Sequence, residues 1–119
     1  MASSGIWLPS ASRTTTQTSP DISTAGFRNL IVTLDMTTVG TGSVTLTING
    51  KDVASGKYRL ILSGAAVVSN VTNTYKVTQN IVAAAANVSA VDVLPEFIQL
   101  VATANNANAA VYSIGYDLC

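Results

Sequence analysis

Histidine and cysteine are the two residues whose scarcity excludes most chemistry in this chain. Among 119 residues there is no histidine, and the only cysteine is Cys119. Without histidine the chain cannot build a Ser–His–Asp triad or use an imidazole as general base. A single cysteine cannot form an internal disulfide, and it leaves no soft-ligand site for zinc or iron. We therefore expect no enzymatic activity and no cofactor; carboxylate-bound calcium is the metal site that remains open.

Charge is also scarce, and it is balanced. Charged residues make up 10% of the chain, with six basic and six acidic side chains and a net charge of zero, whereas soluble domains carry about 25%. A nucleic-acid-binding protein would show a basic stripe, so we expect no nucleic-acid partner. A soluble monomer usually keeps a charged surface, so we expect part of this surface to be covered by a partner. The alternative is a neutral domain with a Thr/Ser surface.

Long hydrophobic runs are missing as well. No stretch reaches about 18 apolar residues, the length that a membrane-spanning helix needs. The first residues, "MASSGIWLPSASR", lack the basic and apolar regions of a secretory signal. We therefore expect no membrane partner and synthesis in a reducing cytoplasm.

What the chain does contain is alternation of apolar and polar residues with period two. In "NLIVTLDMT", for example, Leu30, Val32 and Leu34 fall on one face, and polar or β-branched residues fall on the other. The same pattern recurs in "SVTLTIN", "KYRLIL", "TYKVTQNI", "EFIQLVATA" and "AVYSIGYDL". Alternation rich in Thr and Val, interrupted by Gly, Asn and Pro turns, is typical of short antiparallel strands. The sequence predicts one all-β antiparallel sandwich of jelly-roll or immunoglobulin-like topology, with little or no helix.

The predicted domain covers residues 6–119, and residues 1–5 are expected to be loose. Residues 6–26 are either an extended arm or the first strand, and we favour a strand over residues 6–18. The alanine-rich segment "NIVAAAANVSAVDVLP" has some helix propensity. Because Pro95 ends any helix there, we expect an irregular crossover with at most one helical turn.

The stretch "LTINGKDVASGKYRLIL" contains four of the twelve charges of the chain within nine residues. These residues are Lys51, Asp52, Lys57 and Arg59. We interpret the stretch as a hairpin whose charges orient the protein on a partner through ion pairs. The alternative is that they keep an exposed hairpin soluble and discourage edge pairing. Trp7 is a fifth predicted partner-binding residue, with burial in the core as its alternative.

The same hairpin carries a resemblance to a family. "TLTINGKDVASGKYRLILSGAAV", followed by "NVSAVDVLPEFIQLVATANNANAAVYSIGYDL", resembles small structural proteins of tailed bacteriophages. The shared features are the "GKD-x-x-SGKY" hairpin, the "DVLP" turn and the terminal "Y-S-x-G-Y", in that order, between Phe27 and Leu118. The family pattern is structural, so it contributes no catalytic residue.

The resemblance implies a head decoration or cement protein, which binds the outer surface of a phage head across capsomer seams and stabilises it. Its expected partners are the major capsid protein and itself, as a homotrimer. Its expected location is the virion, assembled in the bacterial host cytoplasm. Another phage structural adaptor, such as a tail or head-fibre base module, is an alternative. A carbohydrate-binding or adhesive module is a further alternative, and it would require an aromatic platform or a calcium-binding acid cluster.

Overall fold

The computed structural model describes residues 3–79 and 84–119. The described residues form no helix, and 58% of the residues lie in strands. The ten strands are β1 (Ser3–Arg13), β2 (Gln17–Thr18), β3 (Ile22–Ser23), β4 (Leu30–Thr38), β5 (Val44–Lys51), β6 (Tyr58–Ser63), β7 (Thr72–Thr78), β8 (Ser89–Val91), β9 (Phe97–Ala104) and β10 (Ala110–Leu118).

Two sheets form the sandwich. The first, sheet A, has the order β1-β10-β4-β7-β8, and the second, sheet B, has the order β2-β9-β5-β6, with β3 also paired to β9. When β2 and β3 are counted as one interrupted strand and the three-residue strand β8 is left out, each sheet has four strands. Most connections cross from one sheet to the other. This is the jelly-roll arrangement, one of the two predicted topologies. The short strand β8 extends sheet A and pairs with β7 in parallel, whereas all the other pairs are antiparallel.

The core lies between the sheets and is built from the alternating positions that the sequence predicts. Leu30, Val32, Leu34 and Met36 of β4 are all buried. The same holds for the following positions of the neighbouring strands: Val44, Leu46 and Ile48 of β5; Ile98, Leu100 and Ala102 of β9; Tyr112, Ile114 and Leu118 of β10. Burying one such side chain contributes about 1.5–3 kcal/mol, so these strands provide most of the driving force for folding.

In β6 the predicted alternation fails. Tyr58, Leu60 and Leu62 were expected on one buried face, but Leu60 is 61% exposed and only Leu62 is buried. The pairing register shifts between Ile48 and Asn49 of β5, which pair with Leu62 and Leu60 respectively. At this bulge Ile61 is an extra residue, and it packs against the core. The residues before it therefore change sides of the sheet, so that Tyr58 and Leu60 lie on the outer face.

The N-terminal segment also differs from its prediction. Ser3, Ser4 and Gly5, expected to be loose, pair with Leu118, Asp117 and Tyr116 of β10; residues 1–2 lie outside the described residues. The strand predicted over residues 6–18 is divided in two. β1 ends at Arg13 in sheet A, and the chain then crosses to sheet B, where β2 begins. Residues 6–26 are thus part of the sandwich, and not an arm that leaves it.

The predicted crossover after β7 lies partly outside the described residues, which resume at residue 84. From there the chain forms a turn at residues 86–88, with Asn87 at φ 61°, and enters β8. The prediction of an irregular crossover missed this strand. Three residues are too few to show a period, and β8 depends on the pairing of Ala90 with Val77.

Candidate partner-binding surface

The hairpin between β5 and β6 is closed by Asp52. Its backbone N–H donates to Lys57 O over 2.8 Å, and the N–H of Gly56 donates to Asp52 O over 2.8 Å. The Asp52 carboxylate accepts from the hydroxyl of Ser55 at 2.6 Å and from the N–H groups of Ser55 and Ala54. These hydrogen bonds lower the pKa of Asp52, and the bond from the Ser55 hydroxyl has the largest effect. Gly56 has a φ of +72°, which favours glycine, so Asp52 shapes the turn and its charge is already satisfied.

Lys51 and Tyr58 both reach Asp21, which lies in the interruption between β2 and β3. The distance from Lys51 Nζ to Asp21 Oδ2 is 2.6 Å, and the Tyr58 hydroxyl donates to Asp21 Oδ1. Lys51 Nζ also lies 6.0 Å from the centroid of the Tyr58 ring, at the limit for a cation–π contact. The three side chains therefore connect the hairpin to the opposite edge of sheet B.

The three groups shift one another's pKa values. The hydrogen bond from Lys51 lowers the pKa of Asp21 most, and the hydrogen bond from Tyr58 lowers it further. The hydrogen bond to Asp21 raises the pKa of Lys51 and that of Tyr58. At neutral pH, Asp21 and Lys51 are therefore charged, Tyr58 is protonated, and the cluster is complete.

Arg59 pairs with Asp92 at 3.3 Å, while its side chain remains 55% exposed. Asp92 also accepts the backbone N–H of Val93 at 2.7 Å. The fourth hairpin charge, Lys57, is exposed, and its ammonium contacts no acidic side chain in residues 3–79 or 84–119. Of the predicted partner-binding cations, Lys57 alone is unpaired within the described chain.

Trp7 lies in β1 of sheet A, whereas the hairpin belongs to sheet B. It is half-buried and packs against the core. It also lines a cleft of about 200 Å³ together with Ile6, Ser19, Pro20, Ile22 and Tyr116. The predicted site residues therefore lie in two places: four are in the hairpin, and Trp7 is in β1.

Sequence reasoning missed the internal partners of the hairpin. Asp21 is 30 residues from Lys51, and Asp92 is 33 residues from Arg59. No local spacing indicates such pairs, because the order of strands in the sheets brings them together. The available signal was weak: Asp21 and Asp92 both lie in turn-like segments with Pro or Val–Leu–Pro neighbours.

The described residues contain no group of three or more His, Cys, Asp or Glu side chains arranged to hold a metal ion. Among the same residues, no helix has the length and apolar character needed to cross a membrane.

No family model matches the chain, and no curated protein is significantly similar to it. The fold does match a solved structure, the crystal structure of the SPBc2 prophage-derived protein YomS, with a TM-score of 0.59. The match covers 100% of this chain and 94% of YomS, at 10% sequence identity. At this identity the likeness extends to the fold, and it includes the whole sandwich.

Proposed function

We propose that this chain is a structural protein of a phage particle, a decoration or cement protein that binds the outer surface of the head and stabilises it across capsomer seams. The observation that carries the proposal is the full-length likeness to a prophage-derived protein. The hairpin and terminal-strand motifs that resemble small tailed-phage proteins support it independently. The jelly roll itself is a common fold of viral capsid domains, and this gives further support by analogy.

Surface chemistry also supports a binding role. A row of uncharged residues crosses all four strand positions of sheet B on its outer face: Thr18, Val101, Thr47 and Ser63. Such a stiff and nearly neutral surface can be covered by a partner without a large desolvation penalty. The expected partner is the major capsid protein.

The carbohydrate-binding alternative has less support. Of the seven aromatic residues, Tyr58 is the one exposed ring, at 40% exposure, and it is bound to Asp21. The rings of Trp7, Phe27 and Tyr116 pack against the core. A single ring does not make a planar platform for a sugar.

The proposal is tested on particles produced with and without the gene for this chain. We expect particles that contain the protein in hundreds of copies by quantitative staining, and heads that release DNA at a lower temperature when it is missing. Adding the purified protein back should restore the stability of the heads. A small ring of copies would instead indicate the adaptor function, and absence from purified particles would overturn both.

The role of the hairpin is tested by binding of purified variants to particles that lack the protein. Lys57→Ala should weaken binding and reduce its sensitivity to salt, because ion pairs with the particle are screened by salt. Lys76→Ala is the matched control, since Lys76 is an exposed lysine on the outer face of sheet A. Equal occupancy of wild type and Lys57→Ala at low and high salt would leave the hairpin as a soluble, internally paired turn.

A further inference from the structure

The first strand has an open edge that differs from the other edges of the sandwich. β1 is 11 residues long, lies at the end of sheet A and pairs with β10 on one side only. The remaining edges are shorter or interrupted: β8 has three residues, β6 has six, and β2 and β3 have two each. Proteins usually protect such edges with charged side chains. From Ser3 to Ser12, β1 has none.

Ile6 projects from this edge. At 78% exposure it is the most exposed large hydrophobic side chain of the described residues. It separates two shallow concavities: the cleft of about 200 Å³ that Trp7 and Tyr116 line, and a second of about 370 Å³ beside Leu8, Pro9 and Gly115. No charged residue lines either concavity. An exposed apolar side chain therefore lies between two uncharged concavities.

We propose that this edge binds a second copy of the same chain. The N-terminal half of β1, from Ser3 to Trp7, pairs antiparallel with the same segment of the second copy across a twofold axis. Ile6 pairs with Gly115 and therefore lies on the outer face of sheet A, so each Ile6 packs beside Ser4 of the other copy. The contact joins two five-stranded sheets into one continuous sheet.

Charge and backbone geometry favour a second copy over another partner. Around a twofold axis the same residues of the two copies lie close together, so a charged side chain there would lie near a like charge. From Ser3 to Ser12 the strand itself has no charged residue, and the carboxylate of the neighbouring Asp117 already accepts the hydroxyl of Ser4. The unpaired N–H and C=O groups of an edge strand are complementary to those of another edge strand, and β1 is the longest such edge on the molecule.

The irregular second half of β1 limits the contact. Its register to β10 shifts between Ile6 and Leu8 and again between Leu8 and Ala11, and Pro9 has no N–H to donate. Pairing over about five residues buries less than the roughly 1,200 Å² of standard interfaces. The dimer is therefore weak and dissociates on dilution. Its closed form has two copies, in contrast to the homotrimer predicted from the sequence.

The experiment measures the mass of the purified full-length chain by sedimentation and light scattering over about a hundredfold range of concentration, which covers a weak equilibrium. The wild type should pass from monomer to dimer. Ile6→Lys places two ammonium groups beside the axis and should raise the dissociation constant at least about tenfold. Val53→Lys is the matched control, because Val53 is 65% exposed at the hairpin tip and should leave the equilibrium unchanged.

Cysteine cross-linking tests the geometry of the contact. Ser4 and Ile6 lie opposite each other in this pairing, so in a Cys119→Ser background a mixture of Ser4→Cys and Ile6→Cys chains should form a disulfide-linked dimer when an oxidant is added, whereas Ser12→Cys, beyond the bulges, should not. Thermal melts of each variant check that the fold is intact, as expected for exposed positions. A wild type that stays monomeric, one that forms trimers, or a dimer that Ile6→Lys leaves unchanged would each overturn the proposal.

Discussion

Replacing Ser19 with alanine should destabilise the sandwich by an amount that the structure allows us to work out. Ser19 lies at the interruption between β2 and β3 and is 3% exposed. Its N–H donates to Leu100 O at 2.9 Å, and its hydroxyl accepts the N–H of Leu100 at 2.8 Å. The side chain thus replaces a ladder hydrogen bond where Pro20 interrupts the strand. Ser19→Ala leaves the Leu100 N–H buried without an acceptor, which costs about 1–3 kcal/mol.

That free energy converts to a shift in melting temperature. Unfolding entropy of about 2.1 cal/mol/K per residue gives about 0.25 kcal/mol/K for 119 residues. The expected decrease in Tm is therefore about 4–12 °C, measured by calorimetry or circular dichroism. Ser23→Ala, at an exposed position of the same interrupted strand, is the control and should change the free energy of unfolding by no more than about 0.5 kcal/mol. A Ser19→Ala melt that coincides with that of the control would show that the loss of this acceptor for the Leu100 N–H does not destabilise the fold.

Three further changes test other parts of the structure. In the wild type, the raised pKa of Lys51 stabilises the folded state below pH 10.5, and this contribution is lost as the pH rises through the folded pKa. Asp21→Asn should therefore remove this part of the alkaline fall in stability. Equal alkaline melting curves of variant and wild type would contradict the prediction. Gly42→Ala should destabilise by about 1–3 kcal/mol, because its Cβ would lie 2.9 Å from a backbone carbonyl oxygen. Both variants are measured by urea titration. Gly115→Ala is the control, because its Cβ would lie 3.5 Å from the backbone oxygen of Gly5, an ordinary contact distance. Thr47→Lys, in the middle of the outer face of sheet B, should weaken particle binding with an unchanged melt, and unchanged binding would exclude that face as the contact surface.

The central strands could be predicted from the sequence because their pattern is local. In β4, β5, β9 and β10, alternate residues point to the core, and each strand has neighbours on both sides. When one face of a strand is buried, period-two alternation determines which residues point to the core. The fold class and the jelly-roll option follow from it, together with the spacing of the turns.

The edges could not be predicted in the same way, because their conformation depends on pairings distant in sequence. The exposed position of Leu60 results from a bulge that no residue type announces. The strand β8 exists because β7 offers it a partner. The role of Ser19 is visible only once Leu100, 81 residues away, is placed beside it. Each of these features is set by register, which a single sequence does not specify.

The candidate site shows the same division, and its contacts account for the clustering of charge on one hairpin. Lys51 and Arg59 each have an acidic partner from another part of the chain, and Asp52 is bound within its own turn. The hairpin charges therefore connect separate segments of the sandwich. Exposed pairs of this kind stabilise only weakly, but they hold the ends of sheet B together and leave Lys57 as the one hairpin charge available to a partner.

The distribution of charge also divides the surface into regions with different capacities for binding. Asp35, Lys76 and Asp117 lie on the outer face of sheet A, whereas β1 from Ser3 to Ser12 and the middle of the outer face of sheet B have no charged residue. A surface that carries charge and faces water resists burial, since each ion must be desolvated. The two uncharged regions are distinct and can be occupied at the same time. A chain with one edge for its own copy and one face for a capsid can therefore join copies across a seam, and two weak contacts used together bind more tightly than either alone.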